Sequence, residues 1–175
     1  MIKGIIIFGP NGSGKTTLGR ELAEKLNYKY MDIEDYHFLK SDIPYTKFRS
    51  KDIRNQLILE DMVKHEKFVL SALTGDFTDQ IMSFYDLAVY ISAPLEVRLK
   101  RIKNRAYLQH GERILKGGDM HDQENEFFSH VKNKSLVSIE AFKDQLKCPI
   151  IYLDGENSLE DNLENLLNSI SKISY

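Results

Sequence analysis

Gly9-Pro10-Asn11-Gly12-Ser13-Gly14-Lys15-Thr16 is the stretch that decides the fold of this chain. It fits the phosphate-binding loop pattern G-x-x-x-x-G-K-[ST] without a mismatch. Ahead of it, Ile5-Ile6-Ile7-Phe8 is a short apolar run of the kind a buried parallel strand shows. Behind it, Leu18, Leu22, Ala23 and Leu26 recur at helical spacing. Glycines let a backbone fold around an anion with its N–H groups inward, and the following helix adds its positive N-terminal end. Gly9, Asn11, Gly12, Ser13, Gly14, Lys15, Thr16 and Thr17 are therefore candidate nucleotide-contacting residues. Lys15 supplies a mobile charge for the β- and γ-phosphates, and the Thr16 hydroxyl is a ligand for magnesium. The pattern predicts a site for ATP with Mg²⁺.

The strand before the loop belongs to a repeating rhythm. Strand-like segments Ile2–Phe8, Tyr28–Ile33, Phe68–Leu73, Leu87–Ser92 and Pro149–Asp154 alternate with helix-compatible stretches, and no repeat or linker interrupts them. This alternation predicts an α/β fold with a five-stranded parallel sheet and helices on both faces. Ligands on such sheets bind beyond the carboxyl ends of the strands. Helices are expected over 94–107 and after Ser158, where Asp161 completes a capping-box pattern ahead of Leu159, Leu163, Leu166, Leu167 and Ile170. The 175 residues are read as one domain, 1–175, large enough to bury roughly 70% of the surface of the unfolded chain. Two segments break the rhythm, one around Pro44 and one with Gly111, Gly117 and Gly118. Long insertions of this kind are usually functional, so 36–65 is read as an acceptor-binding segment and 108–123 as a lid.

A formal charge of −2, from 24 Lys and Arg against 26 Asp and Glu, gives no support to a nucleic-acid or polybasic membrane partner. Cys148 is the only cysteine, which excludes an internal disulfide and suits a reducing cytosol; beside Pro149 it reads as core filler. The run Ile5–Phe8 is too short for a signal peptide or a membrane span, so a cytoplasmic protein is expected.

Asp32, Glu34 and Asp35 stand at the end of the second strand. Phosphoryl transfer to a hydroxyl needs a carboxylate to take the proton and another to hold the metal. Asp32 leads for both roles, and Asp35 and Glu34 compete for a catalytic or acceptor-binding part. The alternative is a solvated acidic turn feeding a helix. On the helix after the fourth strand, Arg98, Arg101 and Arg105 span only about 60° of arc at about 100° per residue. Arginine suits phosphate and stacking on a base, although a helix edge with snorkelling side chains is the bland reading, and for Arg98 the two are even. Arg113 and Lys116 are placed to close over a transferring phosphate, with Asp119 a turn residue beside Gly117-Gly118. Tyr45, Lys47, Arg49 and Arg54 are candidate acceptor anchors or a solvated basic loop. Asp76 is a magnesium or acceptor contact or a turn residue. The five histidines show no metal spacing, and His37 reads as packing.

With these residues in view, the chain resembles the small P-loop kinases of the nucleoside-monophosphate-kinase superfamily, which include adenylate, shikimate and gluconate kinases. Arg101-Ile102-Lys103-Asn104-Arg105, followed by Gly111-Glu112-Arg113, is similar to the adenylate-kinase pattern of two arginines four apart leading into a lid. The resemblance implies the three-layer P-loop NTPase fold, stacking of Arg101 on adenine and contact of Arg105 with phosphates. Asp154-Gly155-Glu156-Asn157 looks like the family's second adenine-contacting wall, which brings in Asp154 and Glu156. Nucleoside monophosphate kinases carry an Asp-Gly-x-Pro-Arg motif after the third strand, whereas this chain has Leu73-Thr74-Gly75-Asp76-Phe77. Ser71-Ala72-Leu73 is similar to a run in gluconate kinases, and Asp32 with Glu34 to the Asp-x-Asp of shikimate kinases. Together these imply an ATP-dependent phosphotransferase acting on a small-molecule hydroxyl, monomeric or weakly dimeric. The alternatives are a nucleoside or nucleotide kinase, or an ATP-binding switch or slow ATPase acting through a protein partner. An oligomeric AAA-type motor is not expected, since no sensor or arginine-finger region remains once five strands are placed.

Overall fold

In the computed structural model, which describes residues 1–42 and 46–173, β1 (Gly4–Phe8) leads through the glycine loop into α1 (Lys15–Leu26). Then come β2 (Lys29–Asp32), the short α2 (Ile33–His37), α3 (Lys51–His65) and β3 (Phe68–Ala72). A single turn of helix, α4 (Asp79–Met82), precedes β4 (Leu87–Ser92) and α5 (Leu95–His110). A 3-10 turn (Gly111–Ile114), α6 (His121–Asn133), α7 (Val137–Gln145), β5 (Ile150–Asp154) and α8 (Leu159–Ile173) complete the described chain. All strand pairings are parallel, in the order β2-β3-β1-β4-β5. The expected α/β fold with a five-stranded parallel sheet is what the chain adopts.

The pleat sorts the core into two halves, because alternate side chains of a strand point to opposite faces. From β1, Ile5 and Ile7 pack with Leu18, Leu22, Leu163 and Leu166 of α1 and α8. Ile6 and Phe8 face the other way, onto Ile58 and Met62 of α3 and Ile139 and Phe142 of α7. The central strand is therefore apolar throughout: every residue from Gly4 to Phe8 is buried.

Strand ends fall short of the sequence expectation for identifiable reasons. The N–H groups of Lys3 and Gly4 donate to Asp86 Oδ2 at 2.7 and 3.1 Å, so the ladder begins at Gly4, two residues after Ile2. β2 stops at Asp32 because its Oδ1 accepts from Glu34 N–H at 3.1 Å and caps α2. α5 continues three residues past Tyr107 to His110, and Gly111 ends it at φ +56°. At α8 the Ser158 hydroxyl accepts from Asp161 N–H (3.0 Å) and donates to the Asp161 carboxylate (2.7 Å).

The two insertions differ more. Segment 36–65 holds the whole of α3, and Phe38 and Phe48 form an isolated antiparallel bridge across its loop. Segment 108–123 overlaps the end of α5 and the first turn of α6, which confines the irregular part to 111–120. Pro44 and Tyr45 lie outside the described residues.

Candidate active site

The loop between β1 and α1 is shaped by close backbone contacts. Gly9 N–H donates to Leu73 O at the end of β3 (3.2 Å). Gly12 has φ +80°, and a Cβ there would lie 2.6 Å from Arg98 O, so both conformation and space demand glycine. Gly14 precedes α1 and brings no side-chain cap, which leaves the first-turn N–H groups of the helix for an anion. They open onto a cavity of about 520 Å³ at the carboxyl ends of the strands, lined by Asn11 through Thr17.

Lys15 Nζ donates to Pro10 O at 2.9 Å. Desolvation pushes its pKa down to about 8; the carboxylates of Glu34 and Asp32 pull it back up, and Arg105 and Arg98 press it lower. Asp32 is buried, with each oxygen engaged. Its Oδ2 accepts from Tyr30 OH (3.0 Å) and from Thr16 Oγ1 at 3.5 Å, and its Oδ1 caps α2. Glu34 lines the cavity beside it, as do Ser71, Ala72 and Leu73. Ser71 Oγ donates to Lys15 O at 3.2 Å and fixes the start of α1 against β3. The Ser13 hydroxyl is fully buried without a partner among the described residues.

The three arginines of α5 separate in role. Arg98 is buried; its Nε donates to Ala93 O (3.0 Å) and Nη1 to Asn11 O at 3.4 Å, so it braces the loop from behind. Arg101 donates from Nη2 to Gly155 O (2.8 Å) and from Nη1 to Ser13 O (3.5 Å), bridging the loop to the segment after β5. Arg105 is exposed and lines the cavity with Arg101 and Ile102.

Several expected site residues lie elsewhere. Asp35 is exposed and absent from the cavity wall, since one residue along α2 turns a side chain by about 100°. Asp154 and Glu156 are exposed and also leave the wall, which Gly155 and Asn157 supply; the Asp154 carboxylate instead accepts from Glu156 N–H at 2.9 Å. Arg49 donates from Nη1 to the carbonyls of Asp35 (2.8 Å), Tyr36 (3.2 Å) and Phe38 (2.7 Å), an internal staple of its loop. Arg54 lies 4.9 Å over the Phe77 ring and donates to Asn55 Oδ1. Asp76 is exposed and reaches Arg54 by charge alone. Arg113 forms a bidentate pair with Asp119 at 3.0 and 2.7 Å, outside the cavity, and Lys116 and Lys47 are exposed. His37 packs edge-on against Phe38 and Phe48, and burial first, then Arg54, lowers its pKa. Cys148 is half-buried against the core. Among the described residues no cluster of three or more His, Cys, Asp or Glu gathers as a metal site, and no helix is long and apolar enough to cross a membrane.

Two residues went unnoticed in the sequence. Asn162 is buried in α8 and lines the cavity, and its signal was a polar residue on the stripe Leu159, Leu163, Leu166. Lys134, beyond α6, lines a crevice behind the loop with Pro10, Asn11 and Arg98, and burial lowers its pKa; no sequence pattern marks it.

A five-stranded parallel sheet with a glycine loop and a cavity over the strand ends is the fold that solved P-loop kinases share. By its sequence the chain belongs to the AAA domain family, whose model matches residues 5–127, from β1 into α6. It is similar to the uncharacterized protein YqaC of Bacillus subtilis (strain 168), 27% identical over 179 residues that cover 98% of this chain and 99% of that one. A shikimate kinase of Acinetobacter baylyi is 32% identical over 119 residues, 60% of this chain and 66% of the relative. The deoxyadenosine kinase of M. mycoides with bound dATP shares the fold at a TM-score of 0.58 and 19% identity, over 98% of this chain and 100% of that one.

Proposed function

We propose that this protein transfers the γ-phosphoryl group of ATP to a hydroxyl of a small molecule. The observation that carries the reading is the convergence of Lys15, Thr16, Asp32 and Glu34 on one cavity beneath the uncapped start of α1. The pairing of the Thr16 hydroxyl with the Asp32 carboxylate offers hard oxygen donors, which fit Mg²⁺. Bound there with ATP, the ion neutralises charge on the β- and γ-oxygens.

The chain's own groups divide the remaining work. The loop N–H groups and Lys15 hold the phosphates, and Arg105 adds charge where the phosphoryl group moves. Asp32 or Glu34 takes the proton as the acceptor oxygen bonds to phosphorus and the bond to the ADP oxygen breaks. Asp35 is exposed and stands outside the cavity wall, so the proton is assigned to its neighbours. A lid closing over the site would exclude water, the competing acceptor. The similarity to a shikimate kinase and the fold shared with a deoxyadenosine kinase both suit a hydroxyl acceptor, a polyol acid in one case and a nucleoside in the other.

The test is ADP release with Mg-ATP against shikimate, sugar acids, nucleosides, nucleotides and aminoglycoside-type alcohols, with products identified by mass. Stimulation by one compound is the expected result. Asp32→Ala should then keep ATP binding within about tenfold and lose at least about a hundredfold in turnover. A slow basal rate that nothing stimulates, with tight ATP binding, would instead favour a switch that signals to a protein partner.

A further inference from the structure

β2 sends two polar side chains to one face of the sheet. Tyr30 and Asp32 stand two residues apart, so the pleat turns both toward α1, while Met31 between them packs on the opposite face. α1 passes close over this pair. A Cβ at Gly19 would come within 2.5 Å of Ser71 Oγ and 2.9 Å of Tyr30 Cε2, so the glycine is what makes room for the phenol ring beneath the helix. Arg20, exposed on the same helix, lies over that ring at 5.5 Å from its centroid. Held in this way, the Tyr30 hydroxyl donates to Asp32 Oδ2 at 3.0 Å. Tyr30 itself is no part of the cavity wall.

That bond decides how Asp32 faces the phosphate loop. Thr16 Oγ1 reaches the same oxygen only at 3.5 Å, near the limit of a hydrogen bond, and is too far to hold it. The other oxygen accepts from Glu34 N–H at 3.1 Å. One firm donor on each oxygen fixes the plane of the carboxylate. With only one of them the group is free to turn about Cβ–Cγ, a torsion with broad minima. Mg²⁺ tolerates little of such movement, because it demands near-octahedral geometry and gives up its waters reluctantly.

We infer that Tyr30 is a positioning residue for the metal. It keeps Asp32 Oδ2 turned toward the Thr16 hydroxyl, and thereby sets how much Mg²⁺ adds to nucleotide binding. It acts through Asp32 alone. The inference rests on the proposed function only for placing Mg²⁺ with ATP at Thr16 and Asp32.

Calorimetric binding of ATP to the full chain, once with Mg²⁺ and once with excess EDTA, tests it without any acceptor. Chelation of the ion by free ATP is common to wild type and variants, so it cancels when the ratios of the two affinities are compared. Tyr30→Phe keeps the ring beneath α1 and removes only the hydroxyl. It should bind Mg-ATP about tenfold more weakly, the usual cost of losing an outer partner of a metal ligand, and bind ATP in EDTA within about twofold of wild type. Tyr28→Phe is the control. Its hydroxyl donates to Ile2 O, at the end of the sheet opposite the cavity, so its loss should lower Tm and leave the ratio unchanged. An unchanged ratio in Tyr30→Phe would overturn the inference. So would an equal loss with and without the ion, or the same change of ratio in Tyr28→Phe. A wild type indifferent to Mg²⁺ would overturn it together with the metal part of the proposed function. A ratio that falls as expected, with no transfer to any acceptor, would sink the kinase reading and leave this one standing.

Discussion

Replacing Arg98 by Met separates a brace from a phosphate contact. The side chain is 7% exposed, and its guanidinium ties Ala93 O at 3.0 Å to Asn11 O at 3.4 Å. Methionine keeps most of the aliphatic stem and removes both bonds. A charge-assisted bond of good length contributes about 1.5–3 kcal/mol and the longer one less, so a loss of about 2–3 kcal/mol is expected. For a chain of this size that corresponds to a fall in Tm of about 5–10 °C. Gly12 still rests against the backbone of residue 98, so the loop keeps one of its supports. Nucleotide affinity should therefore drop by about tenfold or less.

Thermal unfolding followed by circular dichroism and calorimetric titration with Mg-ATP measure the two quantities on the same preparation. Arg98→Lys is the sharper comparison. Its single ammonium cannot span both carbonyls as the planar fork does, so it should recover less than half of the lost Tm. An unchanged Tm with affinity reduced about a hundredfold would refute the reasoning, because it would mean that Arg98 meets the phosphates.

Two other outcomes concern Lys15 within the cavity and Arg113 outside it. Lys15 has its pKa lowered mainly by desolvation to about 8, against 10.5 for the free side chain. The native state thus binds fewer protons than the unfolded chain between those values, and this group's contribution to stability rises with pH across that window. A bound triphosphate restores the charge, so nucleotide binding near pH 8 should take up about half a proton. Calorimetry in two buffers of different ionisation enthalpy reads the uptake directly, and none at all would place a fully charged Lys15 in the free cavity. Asp119→Asn removes the bidentate partner of Arg113 on an exposed turn, where the pair adds little to stability. Tm should stay constant while the KM for ATP falls, if Arg113 is drawn to the phosphates; an unchanged KM would make the pair a surface bridge and nothing more.

How far the sequence spoke depends on how local each feature is. The phosphate loop is contiguous, and its strand and helix flank it, so eight residues carried the fold. The acids after β2 were legible as a group but not one by one. Asp32 caps the short α2 and thereby sends Glu34 to the cavity and Asp35 to solvent, a choice fixed by where the helix begins. Arg49 and Arg54 were plausible anchors only while their partners were unknown; three carbonyls and an aromatic face claim them. Asp154 ends β5, but the turn it enters uses its carboxylate internally and leaves the cavity wall to Gly155 and Asn157. Asn162 was open to detection by register alone, since of the three amides in α8 it shares the face of Leu159, Leu163 and Leu166, while Asn165 and Asn168 are exposed.

The arginines show why motif spacing overestimates the charge at a phosphate site. Four were expected at the nucleotide: Arg101, Arg105 and Arg113 by resemblance or position, and Arg98 on even terms. Arg98 and Arg101 join backbone carbonyls of the loop to the ends of β4 and β5. Arg113 is paired with Asp119 away from the cavity. Guanidinium forks that bind phosphate also bind carbonyl oxygens at the same distance, and a glycine loop offers several of these before any ligand arrives. Lys15 and Arg105 are then the cations that a triphosphate meets first. Arg113 can add a third only by leaving Asp119, which couples full charge compensation to a movement of the segment between α5 and α6. In the proposed reaction, the pair that orders the turn would then also set the condition under which three cations meet the phosphates.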